Sequence, residues 1–505
     1  MPGPPVAGSA SSEPTRLSEA KLSALPSSIR QPAYARGTTR IGIVHIGVGA
    51  FHRAHQAAYI DDLLGEEPDW AICGVSLHSS AVRDALRPQD GLYTLALLGE
   101  RPALRVIGSI RELLFAPAEQ PAVLARLADP MVRLVTLTIT EKGYCPAGSG
   151  LDFSHPEIVR DLATPETPHG AIGYIVAGLA RRKRRGVAPY TVLSCDNLAD
   201  NGGKLRSAVL QYAQRVDPGL ARWIESEVAF PRSMVDSITP ATDEALCARV
   251  AGQLGCIDAW PVQREAYAQW VVEDDFRNGR PAFERAGVTM SDDIAGYDRA
   301  KLRLLNGAHS ALAYLGSLMD LGTVADAMGN PVLAAFVERL MRRDIAPTLD
   351  TPRGLQPDAY IDAILARFRN PDISHLLAQI AWDGSQKLPV RILGTIADAL
   401  AAGRRIDRLC LPVAGWLHFV RRQARSGVAL VDPLDEALRA IGRSARGDAD
   451  ADLPVFLALD AVFAPLSGDA RFVAALRDAY AALHDASPPA VAAALAQEEE
   501  DDPGV

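Results

Sequence analysis

The chain has 505 residues, a formal net charge of −9, 48% hydrophobic and 22% charged residues. That length allows two or three domains with sizeable cores, and the acidic balance argues against nucleic acid or an anionic membrane as partner. No uninterrupted apolar run reaches about 18 residues, so no transmembrane helix is expected.

The six cysteines (73, 145, 195, 247, 256 and 410) form no Cys-x-x-Cys pair. That suits a reduced cytoplasmic protein and offers no zinc signature. The start of the chain lacks a basic segment followed by an apolar one, so no secretory signal is expected.

Residues 1–37 are rich in Pro, Ser, Ala and Gly. They read as a largely disordered arm with a short helix near Ser18–Leu25. Order is expected from Arg40. Residues 41–46, IGIVHI, predict an apolar strand, followed by Gly47-Val48-Gly49-Ala50-Phe51-His52-Arg53 and a helical run from Tyr59 to Leu64. Strand, glycine turn and helix let backbone N–H groups approach a pyrophosphate. Arg53 can add charge there, while His52 stands where a third glycine would complete the dinucleotide fingerprint. The candidate cofactor-binding residues are therefore Ile46, Gly47, Val48, Gly49, Phe51, His52 and Arg53. A tight βα turn without a ligand is the alternative.

A second strand is predicted over 70–77. An acid at its end would bind the ribose of NAD. The sequence there is His78-Ser79-Ser80, with Asp84 the nearest acid, so NAD and NADP both stay open. Residues 131–140 predict a buried strand ending at Glu141. A helix over 171–185 ends in Arg181-Arg-Lys-Arg-Arg185, cations that complement the helix dipole on a solvated face. The strand 190–195 ends in Asp196-Asn197, and an extended segment from Phe230 ends at Asp236. Strands alternating with helices imply a doubly wound parallel sheet, whose ligands bind beyond the carboxyl ends of its strands. Glu141 and Asn197 fall at such ends, although each can equally cap the next helix.

Past residue 290 the pattern turns helical, with segments over 297–321, 331–345, 357–369, 372–383 and 389–403. The expected organisation is a disordered arm (1–37), an α/β Rossmann-like domain (38–290), an α-helical substrate domain (291–490) and an acidic tail (491–505). In 297–316, YDRAKLRLLNGAHSALAYLG, three polar residues interrupt the apolar spacing: Lys301, Asn306 and His309. At about 100° per residue, Asn306 lies about 140° and His309 about 80° around from Lys301, so all three can share one face of a helix. A buried Lys brought from about 10.4 toward about 7–8 can serve as a general base on an alcohol. Asn and His beside it can donate hydrogen bonds to the developing oxygen. An amphipathic helix with its polar side in water is the competing reading.

Seven segments together carry a resemblance: IGIVHIGVGAFHRAHQA, TLTITEKGYC, SCDNLADNGG, FPRSMVDSITPAT, QWVVEDDF, KLRLLNGAHS and DGSQKLP. Spanning roughly residues 40–480, they make the chain resemble the mannitol dehydrogenase, or polyol-specific long-chain dehydrogenase, family. The resemblance implies a Rossmann-like N-terminal domain, a helical C-terminal domain, NAD(H) or NADP(H), and no metal. It implies Lys301 as general base, Asn197 and Asn306 as the oxyanion-stabilising pair, His309 on a substrate hydroxyl, Asp236 on the polyol, and Glu141 in proton release. Asp298 stands where the family has a Glu, three residues before the Lys.

Lys142-Gly-Tyr and Gln386-Lys387-Leu-Pro look more like fructuronate reductase than like mannitol-specific members. Lys387 or Arg391 would then meet a substrate carboxylate; surface or internal salt-bridge roles are the alternative. The expected partner is a small sugar acid or polyol, acted on by a monomer or small homo-oligomer. D-fructuronate and D-mannonate are favoured over D-fructose and D-mannitol or another polyol. A zinc-dependent dehydrogenase using His45, His52 and His55 is disfavoured, because no Cys or Glu cluster accompanies them.

Overall fold

The computed structural model describes residues 15–99, 101–147, 150–373 and 375–500, with backbone only at 498–500. The chain divides into two compact units, Met1–Ile294 and Ala295–Val505.

The first unit is built on five strands: β1 (Ile41–Ile46), β2 (Ala71–Ser76), β3 (Ile110–Phe115), β4 (Leu134–Leu137) and β5 (Thr191–Ser194). Their order is β3-β2-β1-β4-β5, and every neighbouring pair is parallel. The strand residues are mostly apolar because both faces of the sheet are covered, Arg111 and Glu112 falling on the edge strand β3. Side chains alternate between two cores. Val44, Ile46, Val135, Leu137 and Val192 pack on one face, and Ile43, Leu134 and Leu193 on the other. From β1 the chain moves outward through β2 and β3, then returns to β4 and β5 on the opposite side. The direction reverses between β1 and β4, the point where open α/β sheets take their ligands. This is the expected Rossmann-like doubly wound sheet. A separate antiparallel pair, β6 (Ser233–Asp236) and β7 (Gln269–Val272), sets Asp236 opposite Gln269.

Residues 15–37 correct the expectation of a disordered arm. Leu17, Leu25 and Ile29 are buried in one apolar cluster with Val106, Leu246 and Val250. Arg36 is buried and donates to the carbonyls of Gly108, Asp90 and Ile110 while pairing with Glu19. Sparse apolar anchors and one well-satisfied guanidinium outweigh the Pro- and Ser-rich composition. The short helix is there, as a 3₁₀ turn over Glu19–Ala24. Residues 1–14 lie outside the described residues.

The second unit is helical. Helix α1 (Gly307–Leu318) is buried along most of its length. Among the described residues, three stretches wind as π-helix: Lys301–Asn306, Leu340–Ile345 and Pro389–Leu393. Among the described residues, the segment expected as a helix over 372–383 holds a short one, Leu377–Ile380. The tail expected from 491 is instead a helix over Pro488–Glu500, because Val491 and Leu495, four residues apart, bury one stripe. No helix among the described residues is long and apolar enough to cross a membrane.

Candidate active site

In the first unit, β1 runs out into Gly47 at φ +99°, where an added Cβ would lie 2.1 Å from the Thr138 carbonyl oxygen. Only glycine fits there. Gly47 N–H donates to Val75, and Thr138 N–H to Ile46, so the turn is tied to the strands on both sides of β1. Gly49 is exposed and precedes the short helix Ala50–Ala54, whose first turn no side chain caps. Its amides are suited to an anion.

Beneath the turn, His45 Nδ1 lies 2.7 Å from Thr136 Oγ1. His45 Nε2 lies 3.0 Å from Thr138 Oγ1 and 3.1 Å from the Gly47 carbonyl, to which the Thr138 hydroxyl also donates. The neutral Nε2–H tautomer satisfies all of these contacts. His52 stacks on His45 with centroids 3.3 Å apart. Burial holds His45 down to about 3, and burial and then the neighbouring His45 hold His52 well below the usual histidine range. Both rings are neutral scaffolding under the glycine turn.

Arg53 corrects an expectation. Its side chain is 1% exposed, its Nη1 donates to the Trp260 carbonyl at 2.6 Å, and its guanidinium lies 5.5 Å from the Tyr93 and Trp260 rings. The helix turns it inward, so its charge does not face the open side of the turn. Burial lowers its pKa to about 10. The His52 side chain is inward too, and Ile46 and Val48 are buried. Of the expected cofactor residues, Gly47, Gly49 and Phe51 keep access. His55 also faces inward, meeting the Gln269 carbonyl at 2.9 Å.

At the next strand ends, β4 leads to Thr140, at φ 62° and ψ 168°, then a 3₁₀ turn over Glu141–Tyr144. Such a φ is strained for a branched residue. Asp196 holds this turn. It accepts the Thr140 N–H at 2.8 Å and the Tyr144 hydroxyl at 2.7 Å, and Tyr144 in turn lies 2.5 Å from Ser194 Oγ. Burial raises the Asp196 pKa, against the hydrogen bonds from Tyr144 and the backbone. Glu141 and Asn197 stand exposed at the ends of these two neighbouring strands. Asp236, the last residue of β6, is 5% exposed.

In the second unit, Lys301 is 7% exposed and opens the π-turn that Asn306 closes. A π-turn holds more residues per turn than an α-helix and so brings residue i+5 nearer in angle to residue i, which lets the two polar groups share a face. π-winding narrows the 140° that ideal α-helical winding gives. His309 is also 7% exposed, with ring centroids 4.5 Å from Phe368 and 5.1 Å from His375. Its Nε2 has no hydrogen-bond partner among the described residues. Burial first, then the charges of His375, Arg367 and Arg391, hold its pKa well below the ordinary value.

Arg391, on the Pro389–Leu393 π-turn, donates to the Asn306 carbonyl at 3.4 Å and to Ser310 Oγ at 3.2 Å. Lys387 donates to the Ile380 carbonyl at 3.3 Å and lies 3.9 Å from Asp383. Burial, then Arg391, lowers its pKa, and burial also lowers that of Arg391. Asp298 is half-buried on the helix Ile294–Ala300.

Comparison with known proteins decides the family. Residues 41–285 match the mannitol dehydrogenase Rossmann domain, and residues 293–484 match the mannitol dehydrogenase C-terminal domain. The chain belongs to the mannitol dehydrogenase family. It is 41% identical over 454 residues to a mannitol 2-dehydrogenase of Neosartorya fischeri, covering 86% of this chain and 90% of that one. It is equally 41% identical over 463 residues to the D-mannonate oxidoreductase of Escherichia coli, covering 90% and 95%. The solved Pseudomonas fluorescens mannitol 2-dehydrogenase, in ternary complex with NAD and D-mannitol, superposes with a TM-score of 0.78 at 38% identity, covering 97% of this chain and 100% of that one. The chain is thus an oxidoreductase of a family acting on CH–OH groups.

For this mannitol dehydrogenase family member, residue-by-residue reading missed the groups that hold the strand ends in place. Asn201 Nδ2 donates to the carbonyls of Asp196 and Ser233, at 3.0 and 2.8 Å, and its Oδ1 accepts the Ser233 N–H at 3.0 Å. It thereby ties the segment of Asn197 to the strand of Asp236. Asp196 and Asn201 both lie within SCDNLADNGG. The available signal was the density of Asp and Asn there, more than a helix cap needs.

Proposed function

We propose that the protein is an NAD-dependent oxidoreductase acting at C2 of an open-chain sugar acid, with D-mannonate and D-fructuronate as its substrate pair. The observation that carries this reading is the Lys301–Asn306 π-turn, which sets a nearly buried amine and an amide on one face, with a neutral imidazole one turn on. In oxidation Lys301 takes the proton of the C2 hydroxyl, and in reduction it returns it. Asn197 and Asn306 hold the oxygen as charge develops on it. His309, uncharged, pairs with a second hydroxyl, Asp236 contacts the polyol chain, and Glu141, with Asp298 as a weaker candidate, passes the proton to water.

The glycine turn fits a dinucleotide: a Cβ at Gly47 has no room, Gly49 leaves space in front of the helix start, and the Pseudomonas relative was solved in complex with NAD. When bound, the nicotinamide supplies the hydride acceptor. Backbone amides at the helix start, those of Ala50 and Phe51, would hold the pyrophosphate of the dinucleotide. The six cysteines are free, which fits a reducing, cytoplasmic setting.

The choice of a sugar acid rests on Lys387 and Arg391. Burial lowers the pKa of both, and the ion pair of Lys387 with Asp383 is long, at 3.9 Å. A carboxylate would neutralise them. Mannitol 2-dehydrogenase, or a related polyol dehydrogenase, is the second reading, supported by relatives of that name at the same identity. NADH- and NADPH-linked reductions of fructuronate, tagaturonate, fructose and xylulose decide between them. Fructuronate is expected to give the highest kcat/KM. A strong preference for fructose overturns the ranking, and a preference for NADPH overturns NAD.

A further inference from the structure

The ends of β4 and β5 carry a residue whose task the proton and hydride steps leave unassigned. Asp196 is 7% exposed, and its partners among the described residues are neutral donors: the Thr140 N–H, the Tyr144 hydroxyl and the Ile139 backbone. A buried carboxylate with no cation against it is a costly way to tie a loop. What it supplies in return is a charged acceptor, about twice as strong as a neutral one. That acceptor meets the one amide that must be held at φ 62°. Cys145, just past the turn, is also left-handed, at φ 47°. The Glu141–Tyr144 turn thus lies between two positions that relax if released, and Asp196 grips it near both ends.

We propose that Asp196 is a positioning residue that fixes Glu141 and Asn197 relative to each other. Glu141 is bonded directly to the clamped Thr140, and Asn197 directly to Asp196. One carboxylate therefore sets the height of both groups above the ends of neighbouring strands. Tyr144 is the second arm of the clasp, and Ser194, at the end of β5, braces its hydroxyl. The proposal rests on the reading above in which Glu141 and Asn197 serve the reaction.

The test compares the full-length wild type with Asp196→Asn, Tyr144→Phe and the double variant Asp196→Asn/Thr140→Gly. Asp196→Asn keeps the side-chain shape but loses the charged acceptor. It is expected to lower kcat about 10- to 100-fold, as a misplacement near 1 Å does. NADH affinity, read by nucleotide fluorescence, should stay within about twofold of wild type. Tyr144→Phe should show a smaller loss of the same kind. Adding Thr140→Gly should recover part of the kcat, since glycine takes a positive φ without strain.

Amide hydrogen exchange supplies a readout independent of turnover: 139–145 and 195–199 should exchange faster in Asp196→Asn while β1 and β2 do not. Unchanged exchange, or local acceleration with unchanged kcat, overturns the proposal. So does a kcat loss accompanied by faster exchange throughout the sheet, which marks a purely structural residue. A wild type without turnover on the substrate panel sinks the functional reading instead, and exchange then judges the clasp alone.

Discussion

The glycine turn of the first unit and the π-turn of the second meet one demand in opposite ways. Around Gly47 the backbone is what the molecule presents, and the chemically conspicuous side chains are turned inward. His45, His52 and Arg53 are each no more than 1% exposed, and they hold up a turn that offers peptide groups. Around Lys301 the side chains are presented, and the irregular backbone aims them. A motif rich in His and Arg can therefore turn both inward, while a plain Leu-rich helix holds the groups proposed to act on the substrate.

The hardest test of that contrast is Lys301→Met. A general base removed from a hydride-transfer site costs about 10²- to 10⁴-fold in turnover, or about 3–5 kcal/mol. Reduction assays of the variant should show that loss, with NADH affinity close to wild type. Turnover within a factor of a few would return Lys301 to the status of a structural helix residue.

Two glycine variants sharpen the other side. Gly47→Ala puts a methyl 2.1 Å from a backbone oxygen at φ +99°. It should lower stability by about 1–3 kcal/mol and weaken NADH binding at least tenfold. Gly49→Ala is sterically free, at φ −80° and with the nearest atom 4.0 Å away. Its thermal midpoint should hold, while NADH affinity alone falls, because the added methyl occupies the nucleotide's approach. Unchanged affinity in both would remove the turn from the cofactor site.

Much of this was legible in the sequence, for physical reasons that differ by region. The strands over 41–46 and 71–76 were visible as short apolar runs bounded by turn residues, which is what two-sided burial demands. Gly47 was visible because only glycine tolerates its backbone. The π-turn was not: its composition is that of any α-helix, and the extra residue per turn arises from packing. The inward turn of Arg53 and the grip of Asp196 on Thr140 depend on partners far along the chain, Trp260 in one case and a neighbouring strand end in the other. Residues 15–37 were misread because composition averages hide the three apolar anchors that fix them.

An effect on stability alone, with no change in turnover at neutral pH required, tests whether the imidazoles under the turn are scaffolding. His45 is lowered by burial from the ordinary value of 6.5 to about 3. Between those values the unfolded chain binds a proton that the folded one refuses. Stability therefore rises with pH up to about 6.5, and it is lost as the pH falls toward 3. His52 and His309 push the same way, and so does His418, held near 4 by burial. His45→Gln removes one such proton. The slope of unfolding free energy between pH 4 and 6, measured by urea denaturation, should fall by about 1.4 kcal/mol per pH unit. The variant should be weaker than wild type at pH 8, where the contacts to Thr136 and Gly47 are lost, yet converge on it as the pH drops. His309→Gln should flatten the same slope from the second unit. Parallel pH curves for His45→Gln and wild type would mean that this imidazole is charged or wet, and the glycine turn would then rest on something other than a neutral stack.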